Sequence, residues 1–325
     1  MFAMKRSFFA ALFLFVSACC VNDAWAQVVR PPVPRPSQKM SIAQTVGTTE
    51  IAIAFSRPAV KGRPIFGDPP STMASRAKGE ATLDDQNARQ KGEPIVPWDH
   101  VWRAGANEAT LFTVSDDVLV NGQLLPAGRY SFHTIPAKDG NWTLIFNKDD
   151  GQWGSFTYDA TKDALRVKTK AEPAQFNMEL LTYYFDPVTD DSATVHLRWD
   201  KMDVPFTVRV KDVVGSTMTR LRSYVANAKA DDPAPYLNAG NYAKANKLND
   251  DATKWFEEAL KRTDAQIATK ETFQNLQRKA NILIQLGRMP EALVAAEAAV
   301  ARGKADKVDT SALEKRIADI KAGKQ

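Results

Sequence analysis

The chain has 325 residues, of which 44% are hydrophobic and 25% charged. That is the balance of a soluble globular protein with enough apolar material for two domains, and it excludes disordered, fibrous and multi-spanning classes. The formal net charge is +5, from 43 Lys and Arg against 38 Asp and Glu spread along the chain, which argues against a dedicated nucleic-acid binder. Two adjacent cysteines, Cys19 and Cys20, and three scattered histidines, His100, His133 and His196, exclude a disulfide framework and a cysteine-based zinc site.

Residues 1–26 have the layout of a secretory signal: Lys5 and Arg6, an apolar run from Phe8 to Val16 that continues in small residues to Cys20, and then Ala24-Trp25-Ala26. Signal peptidase takes small side chains at the first and third positions before the cut, so the simplest reading is cleavage before Gln27. A second reading is a lipoprotein signal, because Val16-Ser17-Ala18-Cys19 has the form of a lipobox with Cys19 as the lipidated residue. Both predict an exported protein, in the periplasm, at the outer-membrane surface or outside the cell. Membrane contact is then expected only through a lipid on Cys19.

Residues 27–39 are proline-rich and read as a stiff tether. Residues 40–58 alternate as a strand with Ile51, Ile53 and Phe55 on one side, and 61–97 form a long irregular excursion. From Trp98 to Val210 the pattern is of short antiparallel strands. Asn121-Gly122 marks a hairpin between Val118–Val120 and Gln123–Leu125, and further strands are expected at Arg129–Ile135, Trp142–Asn147, Ser155–Tyr158, Leu165–Lys170, Met178–Phe185, Ala193–Trp199 and Val204–Val210. The fold class is therefore β plus α and multi-domain, with an antiparallel β-sandwich or jelly-roll-like domain over 40–212.

After Gly215 the period becomes helical, with helices expected at Met218–Ala228, Ala234–Lys247, Asp251–Arg262, Lys270–Leu286, Pro290–Ala301 and Thr310–Lys321. Gly240 and Ala252 repeat at an offset of 40 residues as Ala280 and Ala292, and Leu286-Gly287-Arg288-Met289-Pro290 reads as an inter-helix turn. Residues 216–325 thus resemble tetratricopeptide hairpins followed by a capping helix, and stacked hairpins of this kind offer concave surfaces to a protein partner.

The β half carries a more specific likeness. Pro97-Trp98-Asp99-His100-Val101-Trp102-Arg103-Ala104-Gly105-Ala106-Asn107-Glu108, Leu125-Pro126-Ala127-Gly128-Arg129-Tyr130, His133-Thr134-Ile135-Pro136, Trp142-Thr143-Leu144-Ile145-Phe146-Asn147 and Gln152-Trp153-Gly154 follow one another in order. With Ser56-Arg57-Pro58 and Ile65-Phe66-Gly67 upstream, residues 38–212 resemble the family called "domain of unknown function 2911". The resemblance implies a secreted or envelope bacterial β domain, often joined to tetratricopeptide-like helices. It implies no assigned reaction.

Arg103, Asn107 and Glu108 put a guanidinium, an amide and a carboxylate around Gly105, and two readings fit: a site for a carboxylate or sugar hydroxyls, or an Arg–Glu pair and turn that tie a loop to the sandwich. His133 lies mid-strand without a second histidine at short range, His196 alternates on a face read as solvated, and His100 sits in a loop; all three read best as hydrogen-bonded structural groups, so no metal is expected. Trp98, Trp102 and Trp142 read as core, which leaves Trp153 in its glycine-flanked turn as the exposed aromatic for a glycan face. Asp149-Asp150 and Asp190-Asp191 read as turn carboxylates rather than calcium ligands. The sequence holds no nucleophile elbow, phosphate loop or dinucleotide fingerprint.

The leading expectation is a non-enzymatic binding protein without a cofactor. A glycan or small-molecule ligand is held near Arg103, Asn107, Glu108, His133 and Trp153, and a protein partner meets the helices. One alternative is an envelope polysaccharide or peptide hydrolase using Glu108, and another is a purely structural envelope component.

Overall fold

The computed structural model describes residues 33–69 and 91–322. The leader with Cys19, residues 27–32 of the tether and residues 70–90 lie outside the described residues. Residues 33–36 form no strand or helix, and the remainder, from Ser37 onward, is a separate compact unit.

Alternation of apolar side chains builds the β half. β1 (Gln38–Val46) and β2 (Thr49–Arg57) pair along their full length with no shift of register. The run read as one strand from residue 40 is therefore a hairpin that takes in the end of the tether. Both arms alternate in phase, and the break rests on Gly47, whose φ of 59° suits glycine at a turn. Within the long excursion, β3 (Phe66–Gly67) and β4 (Val96–Pro97) make a short parallel pair.

The other strands are β5 (Thr110–Val114), β6 (Val118–Val120), β7 (Gln123–Leu125), β8 (Gly128–Ile135), β9 (Asn141–Asn147), β10 (Asp163–Lys170), β11 (Glu172–Val188) and β12 (Ser192–Val210). They form a six-stranded sheet in the order β1-β2-β5-β8-β9-β10 and a four-stranded sheet in the order β11-β12-β6-β7. The Asn121-Gly122 turn has positive φ at both residues, 45° and 83°, as a type I′ hairpin requires. Asn121 also joins the sheets: its Nδ2 donates to the Lys168 carbonyl of β10 at 3.0 Å, and its Oδ1 accepts from the Thr207 amide of β12 at 2.8 Å.

Three expectations change. The strand expected at Ser155–Tyr158 is a turn-rich loop, because β8 and β10 already occupy both edges of β9. Ala193–Trp199 and Val204–Val210 belong to the single strand β12, bent where Asp200 takes a φ of 51°. β5 has no counterpart among the expected strands.

The inner faces meet in one core. Phe132 stacks on Phe206 at 5.5 Å between ring centroids, and Phe55 meets Tyr183 edge-on at 4.7 Å. Beside them Phe66 lies within 5.2–6.2 Å of Trp98, Trp102, Trp142 and Trp199, while Trp102 stacks on Trp199 at 5.8 Å. Those that are fully buried, such as Phe132, Trp102 and Trp199, each contribute roughly 1.5–3 kcal/mol, while Phe66 and Trp98 are half-buried.

The helices are α1 (Val213–Ala226), α2 (Ala234–Ala245), α3 (Asn249–Thr269), α4 (Phe273–Gln285), α5 (Met289–Ala305) and α6 (Ser311–Lys321). α1 begins five residues before its expected start, directly after β12, because the Asp212 carboxylate caps it by accepting the Gly215 amide at 2.8 Å. Two helical hairpins, α2–α3 and α4–α5, repeat each other at the 40-residue offset. Leu248 N donates to Ala243 O at 2.9 Å, as Arg288 N does to Leu283 O. Lys247 and Gly287 both turn the chain with positive φ. Gly240 is needed for close approach, since a Cβ there would lie 2.7 Å from the Phe256 ring. None of the described helices is long and apolar enough to cross a membrane.

Candidate functional site

The segment carrying Arg103 is pinned to β8 by reciprocal backbone bonds between Trp102 and Thr134, both 2.8 Å. Gly105 follows, and its close approach is to this chain's own Thr110 hydroxyl, which a Cβ would meet at 2.7 Å. The Asn107 carbonyl is a junction: it accepts from Arg103 Nη1 at 2.7 Å and from the Gly154 amide at 2.9 Å. Asn107 itself has a φ of 61°, and its Nδ2 donates to Ser37 O at 3.0 Å. Glu108 and Trp153 then face each other in an isolated antiparallel bridge. The structure brings Arg103, Asn107, Glu108 and Trp153 together, and the bonds among them join two loops and the start of β1.

His133 lies beneath, fully buried on the outer side of the six-stranded sheet. Its Nε2 meets Ser131 Oγ at 3.1 Å, Gln152 Nε2 donates to the same hydroxyl at 3.3 Å, and the Tyr158 ring lies 5.2 Å away. Burial, reinforced by the positive Arg103 and only partly opposed by Asp149, pushes its pKa down to about 3. His133 is thus a neutral imidazole at physiological pH, sealed from solvent.

The other histidines are hydrogen-bonded too. His100 is buried, with Nδ1 2.7 Å from Trp98 O. His196, read as lying on a solvated face, is clasped: Nδ1 lies 2.9 Å from Asp203 Oδ1, Nε2 lies 2.8 Å from Asp186 O, and the Tyr184 ring is stacked at 4.6 Å. The bend in β12 carries Asp203 back to it, which strand alternation alone does not predict. Among the described residues no cluster of three or more His, Cys, Asp or Glu is placed to hold a metal ion.

Among the concave features of the described residues, two bear on the expected sites. The first is a cavity of about 210 Å³ whose lining includes Lys39, Ser56, Glu108, Arg129, Asp150 and Gln152. Of the sequence-predicted site residues only Glu108 lines it. Glu108 and Asp150 share its wall, but Asp150 is engaged by Arg129 in an ion pair of 2.8 Å. The second is a groove of about 560 Å³ across α2, α4 and α6, lined by Asn238, Asn241, Gln277, Arg278, Asn281 and Arg316 among others. None of these was singled out in the sequence, although the 40-residue offset relates Asn241 to Asn281 and Asn238 to Arg278.

The model of the family "Protein of unknown function (DUF2911)" matches residues 37–208, just over half of the chain. The chain belongs to the DUF2911 family. No curated protein and no solved structure matches it. The DUF2911 match contains the Arg103–Glu108 loop, His133, Trp153 and the smaller cavity, and agrees closely with the 38–212 span of the sequence resemblance. The helical groove lies wholly outside it.

Proposed function

We propose that this DUF2911 protein is an exported, non-enzymatic binding protein whose helical half receives a protein partner. The observation that carries the reading is the groove across α2, α4 and α6: one polar concavity lined by the first helix of each of two hairpins related by a fixed offset, as tetratricopeptide-like scaffolds present to their partners. Export is supported by the leader, with Lys5, Arg6, the apolar run and Ala24-Trp25-Ala26; lipidation at Cys19 is the alternative N-terminus. The β half then serves as the rigid body that carries the helices.

A photo-cross-linking residue at position 241, inside the groove, tests this in intact cells against the same residue at exposed position 294 on α5. A protein adduct from 241 and none from 294 supports the reading. Equal adducts, or none, overturn it.

A second reading concerns the β half: a glycan or other small polar ligand held in the cavity beside Glu108, Arg129 and Asp150, favoured by the two signs of charge on its wall. Titration of the purified protein with envelope sugars, followed by tryptophan fluorescence in the parent and in Trp153→Phe, tests it.

A further inference from the structure

Six arginines lie in the six helices and a seventh, Arg288, stands at the N-cap position of α5, and their pairing is uneven. Arg220, Arg222, Arg262, Arg288 and Arg302 are each ion-paired, with Asp116, Asp251, Glu258, Glu291 and Asp306. Arg278 and Arg316 have no carboxylate within 4 Å among the described residues, and these two line the groove. Their hydrogen bonds go to neutral amides. Arg278 Nη1 donates to Gln266 Oε1 at 2.8 Å, and Arg316 Nη1 to Asn281 Oδ1 at 2.8 Å.

The rest of the lining completes the chemistry. The groove has no Asp or Glu on its wall. Its other polar members are the amides of Asn238, Asn241, Gln274, Gln277, Asn281 and Gln285, and of these only Asn281 has a side-chain bond to another described residue. An amide side chain offers a donor and an acceptor together, which is what an extended main chain needs opposite its own C=O and N–H. Neighbouring helices lie about 8–10 Å apart, so the three-helix width suits about six extended residues at roughly 3.3 Å each.

We infer that the groove takes an extended, acidic segment of a partner polypeptide, its main chain held by the Asn and Gln side chains and its carboxylates by Arg278 and Arg316. This rests on the proposed partner-binding role of the helices and adds the charge and form of what is bound. Two unneutralised guanidiniums flanking Asn281 repel a basic segment, while planar forks match carboxylates.

The test uses the full chain and three pools of fluorescein-labelled hexapeptides, random over uncharged residues except for two positions, which are Asp or Glu, Asn or Gln, or Lys or Arg. Fluorescence anisotropy should show the acidic pool bound at least about tenfold more tightly than the amide pool, with the basic pool weakest. R278Q and R316Q should each weaken the acidic pool by about tenfold, R316K by less, and R302Q, which removes a paired arginine outside the groove, should leave it unchanged. Thermal melts monitored by circular dichroism verify that each variant is folded. An acidic pool bound no better than the amide pool, or folded R278Q and R316Q variants that bind it as the parent does, overturns the inference. A cross-link from position 241 combined with no acidic preference removes only the charge assignment; absence of both removes the partner-binding reading as well.

Discussion

Arg220 of α1 holds Asp116 of the β5–β6 loop through two parallel hydrogen bonds, Nη1 to Oδ1 at 3.1 Å and Nη2 to Oδ2 at 2.9 Å. Thr49 of β2 donates to the same Oδ2 at 2.8 Å, so one carboxylate ties the β1–β2 hairpin, the loop and the first helix. Burial opposes ionisation of Asp116, yet the bonds from Thr49, Arg220 and Ser115 outweigh it and hold its carboxyl below the usual range. A depressed carboxylate stabilises the fold above its unfolded pKa and loses that contribution as pH falls through the folded one. Arg220→Ala should cost about 1 kcal/mol or less, since the pair is partly solvent-screened. Limited proteolysis should show faster cleavage near residues 211–212 in this variant and, in the parent, below about pH 4.

Asn121→Ala should cost about 2 kcal/mol. It removes the bonds to Lys168 O and Thr207 N and leaves an alanine at a φ of 45°. Urea unfolding measures the loss. Asn121→Gly, which relieves the backbone but not the bonds, should recover only part of it.

His133 gives the folded chain a distinct acid response. It stays neutral down to about pH 3, whereas in the unfolded chain it takes up a proton below about pH 6.5. The unfolded state then binds more protons as pH falls, so stability drops between those values with a slope of up to about 1.4 kcal/mol per pH unit. Urea titrations at pH 7, 5.5 and 4 should show this slope in the parent. His133→Gln should flatten it while lowering stability at pH 7.

Arg103→Ala separates the two readings of its loop. Loss of the bond to the Asn107 carbonyl should lower stability by about 1.5–3 kcal/mol, as for a bond from a charged donor. It should also raise the His133 titration, which a proton-resolved NMR titration follows, because a positive neighbour has gone. Unchanged melting with loss of a ligand response would instead assign Arg103 to recognition.

Gly240→Val drives a side chain into the Phe256 ring at less than van der Waals distance and should cost about 1–3 kcal/mol. Phe256→Leu in the same chain should restore part of that loss. A double-mutant cycle on thermal unfolding reads the coupling.

Much of the fold is written locally. Asn121-Gly122 names its own turn, the alternation of Ile51, Ile53 and Phe55 names a buried face, and the Gly240/Ala280 offset names two hairpins. What escaped depends on contacts distant in sequence. Ser155–Tyr158 has strand-like composition but no free edge to join, and His196 looks solvated until the bend at Asp200 returns Asp203 to it. The cluster at Arg103, Asn107, Glu108 and Trp153 was legible as a neighbourhood. Whether its polar groups turn outward or bind one another is decided by Gly154 and Ser37, which the local motif does not contain. The helical groove was legible only as a scaffold, because Asn241 and Arg316 come from separate helices that line one groove only after stacking.

The indoles gathered around Phe66 have a spectroscopic consequence. Trp98, Trp102, Trp142, Trp153 and Trp199 lie in the β half, while the helical half holds Trp255 alone among the described tryptophans. Trp102 and Trp199, stacked at 5.8 Å and 19°, are close enough for their electronic transitions to couple. Near-ultraviolet dichroism therefore reports the sandwich. With Trp255 replaced by Phe, the remaining fluorescence isolates it, and the difference from the parent follows the helices, so one chain carries two optical labels with which to ask whether its halves melt together.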